Sequence, residues 1–199
     1  MFRIQCGKEQ RERLGGSLHP TTDQDLAAAA LRGDRNAFAE LVCRYRDGVV
    51  NVVYRMCGDP DLAEEAAQEA FLKAWQSLSG YKPEYPFRGW IYRIAINRAL
   101  DALRRSPRSV DLDSPEMEAA LPGTMPDPED AAIQRESVER VRRAVLALPE
   151  ASRAVLILRE YEQLSYQEIA AALNIPVGTV MSRLNYARGQ LRKGLVEVT

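Results

Sequence analysis

Apolar residues recur along the first half of this 199-residue chain at intervals of three and four. The two-residue alternation that half-buried strands need is missing there, so the spacing predicts helices. Between Asp34 and Gly58 the residues Phe38, Leu41, Val42, Tyr45, Val49, Val52, Val53 and Met56 share one helical side. Asp34 can cap that helix, and Gly58 can end it, as glycine does at a helix C-terminus. Asp23 can cap a shorter helix before it, running through Leu31. Asp59 and Pro60 restart the chain, as cap and first helical residue. The third helix reaches about Trp75 and turns Leu62, Ala63, Ala66, Ala67, Ala70 and Ala74 inward. A fourth covers Phe87 to Arg105, with Ile91, Tyr92, Ala95, Ile96, Ala99, Ala102 and Leu103 as its inner face.

Residues 164–193 read as a helix-turn-helix. Ser165 and Glu168 have the spacing of a capping box. Ile169 and Leu173 make the first helix's apolar stripe, and Ala170 permits close helix contact. Asn174, Ile175 and Pro176 break it. A second helix starts near Gly178 and Thr179 and places Val180, Leu184, Ala187, Leu191 and Leu195 at helical spacing. Its opposite arc carries Ser182, Asn185, Tyr186, Gly189 and Lys193, flanked by Arg183 and Arg192. A buried stripe beneath a polar, partly basic face is what a major-groove reader needs. An ordinary surface hairpin of helices would share the apolar stripe.

The composition fits a packed all-α protein, with 46% apolar residues. No apolar run is long enough for a membrane span, and no secretion signal is visible at the N-terminus. The chain is therefore expected to be cytoplasmic, with no membrane insertion. Three cysteines do not make a disulfide framework. Cys43 and Cys57 share one helix, about 21 Å apart along its axis, beyond disulfide reach. Inert thiols are expected. One histidine, His19, and no cysteine pair at ligand spacing leave no zinc site. No metal or cofactor is expected.

The net charge of −1 is low for a nucleic-acid binder. It is unevenly spread: +2 over residues 1–20, 0 over 21–105, −6 over 106–134 and +3 over 135–199. Affinity for DNA comes largely from neutralising phosphates, so this chain needs another hold on it. The stretch 106–127 contains Pro107, Pro115, Pro122 and Pro126 and several acids, a linker composition. Its 22 residues, fully stretched, span roughly 75 Å. The expected organisation is a loose extension at 1–20, a helical domain at 21–105, a flexible acidic linker at 106–127 and a second helical domain at 128–199.

Two surfaces of the first domain carry chemistry. In the third helix Asp61, Glu64, Glu65, Gln68 and Glu69 crowd one arc; most such arcs are simply solvated. In the fourth, Arg93, Asn97, Arg98, Asp101, Arg104 and Arg105 form the outer face. An aromatic-rich loop, Ser79 to Phe87, precedes it. A cationic helix with aromatic neighbours is the composition that holds unstacked bases and tracks a strand's phosphates. Tyr81, Phe87 and Trp90 could equally be core.

Three stretches together resemble the sigma-70 family of sigma factors, in its small extracytoplasmic-function (ECF) branch. Asp59-Pro-Asp-Leu-Ala-Glu-Glu-Ala-Ala-Gln-Glu-Ala-Phe71 resembles the family's core-polymerase-binding helix. Phe87-Arg-Gly-Trp-Ile-Tyr-Arg-Ile-Ala-Ile-Asn97 resembles the segment that opens and reads the −10 promoter element. Val177-Gly-Thr-Val-Met-Ser-Arg-Leu184 resembles the −35 recognition helix. The resemblance covers about 23–105 and 128–195.

It implies a sigma factor that binds core RNA polymerase, at its clamp and flap regions, and directs promoter-specific initiation. It implies promoter DNA and an anti-sigma factor as further partners. Asp61, Glu64, Glu65, Gln68 and Glu69 would meet polymerase. Arg88, Trp90, Arg93, Asn97, Arg98, Asp101, Arg104 and Arg105 would meet −10 DNA, with Asn97 on a base. Thr179, Ser182, Arg183, Asn185, Tyr186, Arg188 and Lys193 would meet −35 DNA. The linker would thread the polymerase's RNA exit path. Met181 and Tyr186 stand where the family often has basic residues, and Gly189 costs about 1 kcal/mol of helix propensity. A stand-alone helix-turn-helix regulator is the alternative, but it would need a ligand or phosphoacceptor domain. A helical enzyme would need a convergent catalytic set, and neither a phosphate loop nor a nucleophile motif is present.

Overall fold

The computed structural model describes residues 22–82, 85–105 and 128–196. The extension at 1–20, the linker at 106–127 and part of the aromatic loop lie outside them. Among the described residues there are eight α-helices, a short 3-10 turn at Leu78–Gly80 and no strand. In chain order the helices are α1 Asp23–Leu31, α2 Arg35–Cys57, α3 Pro60–Gln76, α4 Phe87–Arg105, α5 Pro128–Leu146, α6 Glu150–Glu160, α7 Tyr166–Leu173 and α8 Val177–Val196.

Local chemistry sets most of the ends. Asp34 caps α2 through the Asn36 and Ala37 amides, and Gly58 closes it at φ +77°, a conformation glycine adopts without a side-chain clash. Asp59 caps α3, and Pro60 opens it. At α1 the cap is Thr22, one residue before the expected Asp23. The reason is tertiary. Asp23 is drawn to α2, where it pairs with Arg44 at 2.9 Å and accepts from the Tyr45 hydroxyl. Ser165 and Glu168 form the expected capping box on α7, and Asn174 ends that helix in the left-handed conformation. The α8 helix begins at Val177, directly after Pro176 and slightly ahead of the expected start.

Helices α1 to α4 form one group. The small face of α3, Ala63, Ala66, Ala67, Ala70 and Ala74, is buried where α3 packs on α2 and α4. Alanines let neighbouring backbones approach closely while still excluding water from apolar surface. Leu62 and Leu103, expected inward, are only partly buried at the cluster's edge. Cys57 lies in this core as a free thiol, pushed up to about 12 mainly by burial. Cys43 is disulfide-bonded, which corrects the expectation that all the thiols are inert. Cys57 being free, the two cysteines of α2 are not joined to each other.

Helices α5 to α8 form a second group, with α8 packed on α6, α7 and α5. Val180, Leu184 and Ala187 of α8 are buried, and Leu191 packs at the margin. The turn into α7 has Gln163 at φ 56°, and Arg159 donates to the Leu164 carbonyl at 2.9 Å.

The periodicity did not reveal that the two groups pack against each other. One cluster of buried apolar residues runs from Leu26 to Ala187 through both. Helix α2 meets α5 and α6, and α4 meets α7. Arg153, buried, donates to the Met56 carbonyl of α2 and to Leu146 and Leu148 of its own group. Arg142 donates to the Gly58 carbonyl. Carbonyls at a helix C-terminus lack intrahelical partners and carry the negative end of the helix dipole. Two guanidinium groups there answer both needs.

Candidate nucleic-acid interface

Three helical surfaces hold the residues singled out from the sequence. On α3, Asp61, Glu65 and Gln68 are exposed. Glu64 and Glu69 are half-buried and already paired: Glu64 accepts from Arg46 at 3.0 Å, and Glu69 meets Arg105 at 3.2 Å. The exposed line continues past the acids through Leu72, 61% exposed, and Trp75, 38% exposed. The Trp75 ring rests on Phe38, with centroids 4.9 Å apart. Asp61, Glu65, Gln68, Leu72 and Trp75 step by four, three, four and three residues, so they form one stripe. Leu72 and Trp75 were not singled out from the sequence. The signal was their helical phase, which sets them in line with the acids.

On α4, Arg93, Asn97, Arg104 and Arg105 are exposed, and Arg98 and Asp101 are half-buried. Asp101 holds Arg98 at 3.0 Å and Arg104 at 3.6 Å. The aromatic loop resolves in favour of the core: Tyr81 is 4% and Phe87 1% exposed. Trp90 is half-buried, with ring centroids 5.3 Å from Tyr81 and 5.5 Å from Phe87. Arg88, read as a DNA contact, is turned away from the outer face. It donates from Nη2 to the Glu162 carbonyl at 2.7 Å.

On α8, Ser182, Asn185, Tyr186 and Lys193 are exposed, and Thr179 and Arg183 half-buried. Ser182 donates to the Thr179 carbonyl at 3.1 Å. Arg188 is held at 2.7 Å by Glu160, whose hydrogen bond raises the guanidinium's affinity for its proton against slight desolvation. Glu168 accepts from the Ser165 amide at 2.7 Å. That bond, above all, holds its carboxyl below the usual carboxylate range.

Sequence comparison decides what these surfaces belong to. The family described as Sigma-70 region 2 matches residues 41–109, and Sigma-70, region 4 matches 138–191. The RNA polymerase sigma-H factor of Pseudomonas aeruginosa is 39% identical over 181 residues, 87% of this chain and 93% of that protein. The ECF RNA polymerase sigma-E factor of Escherichia coli is 40% identical over 174 residues, 84% and 91% of the two chains. The chain belongs to the ECF branch of the sigma-70 family. The ECF RNA polymerase sigma factor SigW of Bacillus subtilis is 37% identical over 82% of this chain and 91% of its own length. Among solved structures, CnrH in complex with the cytosolic domain of CnrY superposes with a TM-score of 0.69. It covers 89% of this chain and 99% of its own, at 26% identity.

In this sigma factor the region 2 match spans most of α2 with all of α3 and α4, and the region 4 match spans the end of α5, all of α6 and α7 and most of α8. Among the described residues no group of acids, histidines and cysteines could hold a metal ion. Among the described residues no helix is long and apolar enough to cross a membrane. Besides Leu72 and Trp75, the residues that sequence reasoning missed lie between the two groups: Arg142, Arg153, Glu162 and the pair Arg55–Tyr161, whose guanidinium sits 4.0 Å from the ring centroid.

Proposed function

We propose that this sigma factor uses its three exposed stripes in the order in which the chain presents them. As a sigma factor it binds core RNA polymerase and directs initiation from promoters carrying −10 and −35 elements. On this reading Asp61, Glu65, Gln68, Leu72 and Trp75 of α3 dock on polymerase, acids on a basic surface and Leu72 and Trp75 in apolar contact. Glu64 and Glu69 sit at the edge of that contact.

The outer face of α4 takes the −10 element. Asn97, exposed and flanked by arginines, offers an amide that pairs with an adenine edge. Arg93, Arg98, Arg104 and Arg105 track phosphates, and Asp101 orients two of them. Trp90 supplies an aromatic wall beside the displaced base. The outer face of α8 takes the −35 element in the major groove through Ser182, Asn185 and Tyr186, with Thr179, Arg183, Arg188 and Lys193 toward the backbone.

The observation that carries this reading is the succession of an acidic and apolar stripe, an arginine-rich stripe and a polar, partly basic stripe, each on a separate exposed helix face. On this reading residues 21–105 serve polymerase and −10 DNA, and 128–199 serve −35 DNA. The chemistry of transcription stays with polymerase, and the work takes place in the cytoplasm. An anti-sigma partner belongs to the same reading. The sigma factor RpoE of Bartonella quintana, for example, was solved with the anti-sigma factor NepR.

The test is promoter opening by core polymerase with the full chain on a randomised promoter library. Selected opening dependent on both elements supports the reading. Tight sequence-specific duplex binding by the free protein at physiological salt contradicts it, because a chain of net charge −1 lacks the phosphate-neutralising surface for that.

A further inference from the structure

The outward side of α8 carries an apolar residue that its packing does not explain. Met181 is 54% exposed, and Val177, one turn before it, is exposed as well. The helix already buries Val180, Leu184 and Ala187 in the core, so Met181 is no part of its packing stripe. Val177, Met181 and the exposed Asn185 follow at intervals of four, so they share one row. Ser182 stands beside that row. The space in front of this half of the helix is open: a Cβ added at Gly178 would meet no atom within 4 Å. The row starts at the first residue of α8, and the N-terminal part of a recognition helix is the part that meets base edges.

The chemistry of base edges limits what a methionine can select. Its thioether is a weak acceptor and carries no donor. In the major groove the four base pairs present acceptors, amino donors and one apolar group, the C5-methyl of thymine. A guanine or cytosine edge loses hydration to Met181 and gains no partner. A thymine methyl gains, because apolar surface leaves water on both sides of the contact. The unbranched side chain settles on that methyl without the exact fit a branched one needs. Asn185, whose amide suits an adenine edge, lies four residues on, about 6 Å further along the axis. Base pairs stack at about 3.4 Å, so the two side chains reach neighbouring or next-neighbouring pairs.

We propose that Met181 is a specificity-determining residue of this sigma factor, selecting a thymine methyl in the −35 element within about two base pairs of the adenine that Asn185 reads. The contact deepens the assignment of α8 as the −35 reader and rests on it. It adds selectivity without charge, so it leaves the salt dependence of binding unchanged.

Removing a single methyl from the DNA tests it. Core polymerase with the full chain is bound to the promoter it opens best from a randomised library. Each −35 thymine, on either strand, is replaced in turn by deoxyuridine, which lacks the methyl and keeps the O4 acceptor. At one position uracil should weaken binding about three- to five-fold, the worth of one buried methyl group. Met181→Ala should bind the thymine promoter more weakly by a similar factor and be indifferent to uracil at that position. In wild type, a guanine–5-methylcytosine pair placed there should bind more tightly than guanine–cytosine by about the same factor, because its methyl takes the same place in the groove. No loss with uracil at any position, equal loss in wild type and Met181→Ala, or a best promoter without a −35 thymine overturns the contact. Protection of the −35 DNA from hydroxyl-radical cleavage, measured on the same complexes, reports the reader assignment separately. Protection without a methyl effect means that α8 reads DNA and Met181 does not select thymine. Without protection the reader assignment fails, and the contact with it.

Discussion

Helices α4 and α8, the proposed DNA readers, carry the same formal charge, five arginines less Asp101 in one and three arginines with Lys193 in the other, but they hold their cations differently. Residues 88–105 hold five arginines and one aspartate. Acids already orient three of those arginines: Asp101 holds Arg98 and Arg104, and Glu69 holds Arg105. The face of α8 is led by hydroxyl and amide groups, Ser182, Asn185 and Tyr186, and its Arg188 is paired with Glu160. A cationic face gains affinity from any phosphate and loses it with salt. Hydroxyl and amide groups, which lead the α8 face between its cations, add directional contacts to base edges. The difference implies a division of labour. On the proposed reading the α4 side holds on, the α8 side selects weakly, and polymerase, reached through α3, supplies most of the affinity.

The severest break in that comparison is the loss of polymerase. Asp61→Lys with Glu65→Lys reverses two exposed acids, and like charges facing each other at an interface cost several kcal/mol. Association with core should fall by about 100-fold or more, while thermal unfolding stays near wild type. Normal binding to core would mean that the stripe is only solvated surface. The next effect separates holding from reading on α4. Asn97→Ala should remove about 1–3 kcal/mol of discrimination at one base. Arg104→Ala should weaken all sequences alike and lower the salt slope by about 1. Equal effects of both across a set of −10 variants would contradict the division.

Smaller effects lie in region 4. Ser165→Ala removes the α7 cap and should cost about 1 kcal/mol of stability, measured by denaturant unfolding. The Glu168 carboxyl is held below its unfolded range, so its contribution is present above that range and lost as pH falls through it. Ser165→Ala keeps the backbone amide that this carboxylate accepts from, so most of the pH-dependent contribution should survive that substitution and be lost in Glu168→Gln. The smallest expected change is Tyr186→Arg, which gives α8 some of the character of α4. It should tighten promoter binding by the polymerase complex a few-fold and steepen its salt dependence. An unchanged salt slope would show that this position faces no phosphate.

Helix ends were legible because each depends on a few adjacent residues. Asp34, Gly58, Asp59 with Pro60, and Ser165 with Glu168 act where they were expected to. Asp23 failed as a cap because a partner 21 residues away, Arg44, competes for its carboxylate. The aromatic loop was ambiguous for a related reason. Tyr81 and Phe87 have the composition of a base-stacking platform and of a core alike, and only packing decides. The contact between the helical groups was invisible. Its bonds join residues 70 to 97 positions apart, and no periodicity reports such a pairing. Arg88 and Arg153 look like surface cations in one dimension, yet one is half-buried and the other buried in three.

The central claim is that one chain joins polymerase through α3 and reads two promoter elements through α4 and α8. Start-site mapping on a randomised promoter library, with core polymerase alone and with the full chain added, tests it most directly. New starts are expected only in the presence of the chain. They should lie downstream of paired elements, be lost with Asp61→Lys and Glu65→Lys, and shift in −10 preference with Asn97→Ala. Starts unchanged by the chain, or new starts that survive both sets of substitutions, would contradict it.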